Sequence, residues 1–224
     1  DIERSDIKFS EAIKKDLSWL GIKYDDEVKQ SARFDLYDEN SEKLKSKGKI
    51  YACYETSEEL DLKRKIQLKM GKPPIYDRAA LRNTKQEIIN FQREGRKPHW
   101  RLKLDGNSIQ WKDLIHNDVS FKNLSISDPV VIRSDKTPLF TLTSVIDDID
   151  LEISHILRGD DHLTNTAAQI KLFEYLDADV PIFGHFPLMK NITGEGLSKR
   201  KNSLSLKDFR SLDIQPIVLI NLLM

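Results

Sequence analysis

The chain has 224 residues, 39% of them hydrophobic and 32% charged, with Lys+Arg and Asp+Glu equal at 36 each; it reads as globular, and its net charge recommends no polyanionic partner. Cys53, the only cysteine, excludes an internal disulfide framework and a cysteine-based zinc site, in keeping with a reducing cytoplasm. No apolar run approaches the ~20 residues that span a bilayer, and the polar opening "DIERSDIKFS" is not a signal peptide.

In chain order, "SDIKFSEAIKKDLSWLG" predicts a helix with Phe9, Ile13, Leu17 and Leu20 on one face and Gly21 ending it. "SARFDLYDENSEKLKSKG" predicts a second, capped by Ser31, stopped at Gly48 and striped by Phe34, Tyr37 and Leu44; "KIYACY" follows as a short strand. Thr56-x-x-Glu59 is a capping box that starts a helix running to Gly71, and another helix covers Lys85 to Glu94. In "HWRLKLDGNSIQWKDLI", the alternation of Trp100, Leu102 and Leu104, the Asp105-Gly106 turn and the return through Ile109 and Trp111 predict a hairpin. "DPVVIRSD" is a strand and turn. After Pro138 the texture changes to helix, buried strand, helix ("LFTLTSVIDDID", "LEISHILRGDDH", "NTAAQIKLFEYLDAD"), the alternation of an α/β layer. The α+β stretch of roughly residues 50 to 136 then reads as an insertion between two α/β halves. The apolar closing run "PIVLINLLM" and the missing initiator Met read as the cut ends of a longer chain.

Three clusters could carry chemistry. Arg158 follows the strand "ISHIL" at its carboxyl end, where open α/β sheets bind ligands, and Thr164 or Asn165 can cap the next helix. An arginine there either grips a carboxylate with two charge-assisted hydrogen bonds or pairs structurally with Asp160 and Asp161. Asp147, Asp148 and Asp150, with Asp160, Asp161 and His162, are either hard ligands of the Mg²⁺ type or ordinary turn and cap residues. "GEGLSKRKNS" puts Lys199, Arg200 and Lys201 directly after two glycines, as a solvated loop or as a mobile one that closes on a polyanion. Around Trp100, the basic residues Arg93, Arg96, Lys97, His99, Arg101 and Lys103 form either a solvated strand face or a grip on a nucleic-acid backbone or an end base. Histidines 99, 116, 155, 162 and 185 never recur at metal spacing.

Taken together, "DIERS", "YACYETSEELDLKRKIQL", "HWRLKL", "FTLTSVIDDIDLEISHILRGDDHLTNTAAQIKLFEYL" and "GLSKR" resemble, in order and over essentially the whole chain, glutamyl-tRNA synthetase of the bacterial type, a class I aminoacyl-tRNA synthetase. The resemblance implies a Rossmann-like α/β catalytic domain interrupted by an inserted α+β acceptor-binding subdomain. Residues 1–50 would complete the first half of the nucleotide-binding fold and 51–136 form the insertion; 137–203 would be the second half, and 204–224 the start of a helical stem-contact region. It implies activation of glutamate by ATP, with Mg²⁺ arriving on the nucleotide, and transfer of the glutamyl group to tRNA(Glu) by a monomeric cytoplasmic enzyme with no membrane attachment. Gly196, Leu197, Ser198, Lys199 and Arg200 would be its KMSKS-type loop, with Lys199, Ser198 and Arg200 catalytic and Leu197, Lys199, Asp161 and His162 at the ATP. Arg158, Phe140 and Ser144 would contact glutamate, and Arg96, Lys97 and Arg101 the tRNA. Phe140 departs from the usual tyrosine and Gly196 from the usual leading lysine of that loop. Cys53 lacks the partners of the zinc site some members carry, so no zinc is expected. The HIGH-type half of the ATP site would precede Asp1, so this stretch alone is expected to be inactive. From other classes, a Mg²⁺-dependent nucleotidyl- or phosphotransferase built on the aspartates, or a non-catalytic tRNA acceptor-stem module, remains open.

Overall fold

A computed structural model describes residues 5–121, 126–189, 194 and 205–223. The chain divides into two units, one of Phe34–Pro187 and one of Asp1–Arg33 with Leu188–Met224.

In the larger unit, helix α2 (Phe34–Ser46) turns its Tyr37 and Leu44 inward and ends at Gly48, whose φ of 64° closes the helix through a bond from Lys49 N to Leu44 O. Strand β1 (Ile50–Cys53) follows, then helix α3 (Ser57–Lys69) behind the expected capping box, with Thr56 N donating to Glu59 Oε2 at 2.9 Å and Glu59 N to Thr56 Oγ1 at 3.3 Å. Helix α4 (Lys85–Arg93) has its own box from Thr84 and Glu87.

Strands β2 (His99–Leu102) and β3 (Ile109–Asp113) do not form the hairpin expected of them. β2 lies between β1 and β5 (Val130–Ile132) in an antiparallel sheet, whereas β3 pairs with β4 (Asn117–Phe121) and with β7 (Ile182–Phe186) in a second sheet that β6 (His155–Gly159) completes in the order β4-β3-β7-β6. Period-2 alternation reports which face of a strand is buried, not which strand lies beside it. The segment between them is pinned elsewhere: Lys103 N donates to Lys49 O, and Leu104 N to the Asp128 carboxylate. The true hairpin is β3–β4, whose turn is tied by Asp113 and leaves through Asn117 at φ 59°.

Helix α5 (Phe140–Asp150), strand β6 (His155–Gly159) and helix α6 (Leu163–Tyr175) follow the expected alternation, and β6 and β7 pair in parallel across α6, the βαβ unit of a mixed α/β fold. β6 is not the buried strand that its apolar run suggested; it is the sheet's edge, with Leu157 59% exposed. Neither Thr164 nor Asn165 caps α6, because a 3₁₀ turn at Asp160–His162 feeds straight into it and leaves both inside its first turn. One core joins the layers: Leu44, Leu102, Val131, Leu142, Ile146, Leu172, Phe173 and Phe183 are all in it, and Cys53 is buried in a small satellite.

In the smaller unit, α1 (Ile7–Trp19) ends at Gly21 as expected, but its stripe stays open, with Phe9 55% and Ile13 61% exposed. Ser31 sits in a 3₁₀ turn and not at a helix cap. Ser205 and Asp208 box the start of α7 (Leu206–Ser211), Arg210 bonds Asp16 at 2.7 Å, and the apolar closing run is helix α8 (Pro216–Leu223).

Candidate active site around Arg158

Arg158 is the penultimate residue of β6, so its side chain leaves the sheet near the strand's carboxyl end. It makes neither of the ion pairs open to it in the sequence: Asp160 bonds His116 at 2.7 Å instead, and Asp161 lies by His162 at 3.9 Å. The guanidinium is gripped by neutral groups. Nε donates to His185 Nε2 at 3.3 Å, Nη2 donates to Gln169 Oε1 at 2.6 Å and to Thr166 Oγ1, and the plane lies 5.3 Å from the centre of the Phe183 ring. Its Nη1 has no hydrogen-bond partner among the described residues. Burial pulls the guanidinium pKa down, while the charges of Asp148 and Asp161 act at a distance to raise it.

The web runs on from Gln169, whose Nε2 donates to Ser144 Oγ at 2.7 Å; Ser144 in turn donates to Phe140 O at 2.7 Å. Phe140, Ser144 and Asp148 fall four residues apart on α5 and so share a face. The half-exposed Phe140 ring sits 5.4 Å from His162. Asp148 is pushed up to about 6 by burial and by Asp147, against the pull of Arg158. Asp147 is engaged elsewhere, accepting from Tyr37 Oη at 2.8 Å. Among the described residues no three His, Cys, Asp or Glu side chains come together as a metal site.

On its far side the web ends in a buried pair. His185 Nδ1 lies 2.5 Å from Asp113 Oδ2, and both residues' side chains are inaccessible. Burial pushes the Asp113 carboxyl up, but the His185 bond and the backbone N–H groups of Ile115, His116 and His185 outweigh it and hold the group well below the usual carboxylate range.

Of the residues singled out in the sequence, Phe140, Ser144, Arg158 and His162 therefore converge here, with Asp161 at the edge. Gly196, Leu197, Ser198, Lys199 and Arg200 lie outside the described residues. Arg96, Lys97 and His99 line a separate cleft of about 570 Å³ beside the start of α3. Lys97 is exposed, and Arg96 bonds Glu59 at 3.0 Å and Glu94 at 2.8 Å. Arg101 is 8% exposed and committed inward, donating to Asp128 O at 2.7 Å and lying 4.1 Å from the Tyr76 ring centre. Sequence reasoning missed Asp113, Thr166, Gln169 and His185. A signal existed for two of them: Thr166 and Gln169 share the spacing of Ile170 and Phe173 on one face of α6, and a polar pair on a buried stripe needs partners.

The model of the family "tRNA synthetases class I (E and Q), catalytic domain" matches residues 1–224. The chain belongs to this family. Similar proteins include glutamate–tRNA ligase 1 of Maricaulis maris, 51% identical over 224 residues, covering 100% of this chain and 50% of that one. Glutamate–tRNA ligase of Azospirillum brasilense is 49% identical, with the same coverage of each. The synthetase domain thus spans about half the length of the curated relatives it matches. Among solved structures, glutamate-tRNA synthetase from Elizabethkingia anophelis superposes with a TM-score of 0.77 at 25% identity, covering 93% of this chain and 44% of the other. Its parallel β6–α6–β7 unit and flanking helices are thus the Rossmann-like α/β fold of a class I synthetase domain.

Proposed function

We propose that this synthetase domain belongs to the catalytic domain of a glutamate–tRNA ligase. The observation that carries the reading is a partly buried arginine at a strand's carboxyl end that, among the described residues, is held by neutral acceptors and has one terminal nitrogen without a hydrogen-bond partner. A partly buried cation with no carboxylate hydrogen-bonded to it is poised to take one from a ligand. Arg158 would bind the side-chain carboxylate of glutamate, discriminating against glutamine by charge, with Ser144 and the Phe140 ring beside it.

That leaves the α-carboxylate to react. One of its oxygens attacks the α-phosphorus of ATP, the bond to the bridging oxygen breaks, and pyrophosphate departs with the electron pair. The mixed anhydride then yields its acyl group to a ribose hydroxyl at the 3′ end of tRNA(Glu), releasing AMP. Lys199, with Ser198 and Arg200, would neutralise charge growing on the phosphoryl oxygens, which stabilises the transition state more than the ground state. Leu197, Asp161 and His162 would line the nucleotide, and Mg²⁺ would enter with the triphosphate. The acceptor end would meet the stretch 51–136 around Lys97 and Arg96, with Arg101 bracing the sheet behind them. The ligase would work as a monomer in the cytoplasm, without a zinc ion; no helix among the described residues is long and apolar enough to cross a membrane.

The test is pyrophosphate exchange with the full-length protein and tRNA(Glu). Arg158→Ala should raise the KM for glutamate by about 100-fold or more, the scale of a lost bidentate ion pair, while the KM for ATP moves by less than about 3-fold. An unchanged glutamate KM would refute the assignment.

A further inference from the structure

The Asp113 carboxylate on one side and the Arg158 Nε–H on the other select the protonation state of His185. Asp113 accepts from the ring at 2.5 Å and from the His185 backbone N–H at 3.1 Å, and its ionised carboxylate is an acceptor only, so the ring proton sits on Nδ1. Nε2 then carries the lone pair, and it faces the Arg158 Nε–H at 3.3 Å and, at 2.7 Å, the Thr166 hydroxyl, whose one proton has a second acceptor in His162 O at 3.1 Å. The other tautomer would set a bare Nδ1 against the carboxylate and an N–H against the Arg158 N–H. An imidazolium would add a second cation against the guanidinium. Thr166 accepts from Arg158 Nη2 on an oxygen lone pair whichever of His185 Nε2 and His162 O takes its own proton.

We infer that the buried Asp113–His185 pair fixes the Nδ1–H tautomer so that Nε2 aims Arg158, which makes Asp113 and His185 positioning residues for recognition of the substrate's side-chain carboxylate. The histidine does what a carboxylate in its place could not. It orients the arginine as an acceptor without cancelling its charge, which stays available to an anionic ligand and withholds an equal welcome from an uncharged one. The substrate's identity rests on the proposed function; the tautomer does not.

The experiment uses the full-length protein labelled with ¹⁵N-histidine. The ring nitrogen shifts of His185, assigned by their loss in His185→Gln, should report a proton on Nδ1 and a bare Nε2 at pH 7.5. In Asp113→Asn the amide N–H faces the ring, so the tautomer should reverse. With it the glutamate KM should rise by about 10-fold or more, the scale of a lost hydrogen bond to a charged group, and the ATP KM should stay within about 2-fold. A proton on Nε2 in the unaltered protein overturns the inference, as does a reversed tautomer that leaves the glutamate KM unmoved. If Asp113→Asn fails to fold, the tautomer of the unaltered protein still decides. If the unaltered protein never activates glutamate, the functional reading fails, and the nitrogen shifts still decide whether the pair is set as described.

Discussion

Two webs of polar groups lie inside the larger unit, and they handle charge in opposite ways. Around Asp128, whose side chain is wholly buried, Tyr51 Oη donates at 2.7 Å, Arg78 Nη2 at 2.8 Å and the Leu104 backbone N–H at 3.2 Å, so cation and anion cancel. Around Arg158 the acceptors are a histidine, a hydroxyl and an amide, and the charge is left over. A closed web stabilises a fold. An open one stores the cost of a desolvated charge until a ligand relieves it, and that is the mark of a binding site.

Breaking each web should therefore fail in a different way. Asp128→Ala removes the counter-ion of the partly buried Arg78, which keeps Leu104 O at 2.8 Å, and leaves the Tyr51 hydroxyl and the Leu104 N–H without their acceptor; it should cost about 3–5 kcal/mol in urea unfolding, and a loss under about 1 kcal/mol would mean that the web is not closed. Arg158→Ala, whose effect on glutamate is given above, should leave unfolding nearly unchanged. Asp148 sharpens the contrast because it adds a partly buried carboxylate beside the open web. Its carboxyl, pushed up to about 6 from 3.8, holds its proton more tightly folded than unfolded. Stability from this group is thus greatest below about pH 4, falls as pH rises through the window from 4 to 6, and stays lost above it. Asp148→Asn should gain about 1–2 kcal/mol at pH 7.5, less than the full shift implies because the group is partly solvated, and the gain should vanish near pH 4. The smallest effect belongs to a local feature outside both webs: Thr56→Ala removes one half of the α3 capping box and should cost about 1 kcal/mol with no change in either KM.

What was legible in the sequence follows the range of the interactions. The capping box at Thr56, the helix stops at Gly21 and Gly48, and the β6–α6 alternation are set by residues within a few positions of each other, and they stand as expected. The hairpin between β2 and β3 was misread because strand partnership is decided by contacts such as Asp113 with Phe183, 70 positions of chain apart. Arg158 could be singled out by its place after a strand, but its true partners could not. His185 sits in a short strand with no helical spacing to flag it, and Asp113 looked like any turn residue after an alternating run. Both are found only when the sheet brings β3 beside β7.

The tie between Asp113 and His185 spans 72 residues of sequence, and it bears on when the pocket comes into being. Local helices such as α5 and α6 can form early, yet neither carries the acceptor that aims Arg158. Closing so long a loop carries an entropic toll that waits on the hairpin and β7 meeting in register. A nascent chain that has emerged only as far as Tyr175 already holds the arginine, the hydroxyl and the amide, but not the imidazole that gives them direction. Competence to recognise the amino acid therefore arrives late, as a product of tertiary assembly and not of any one segment.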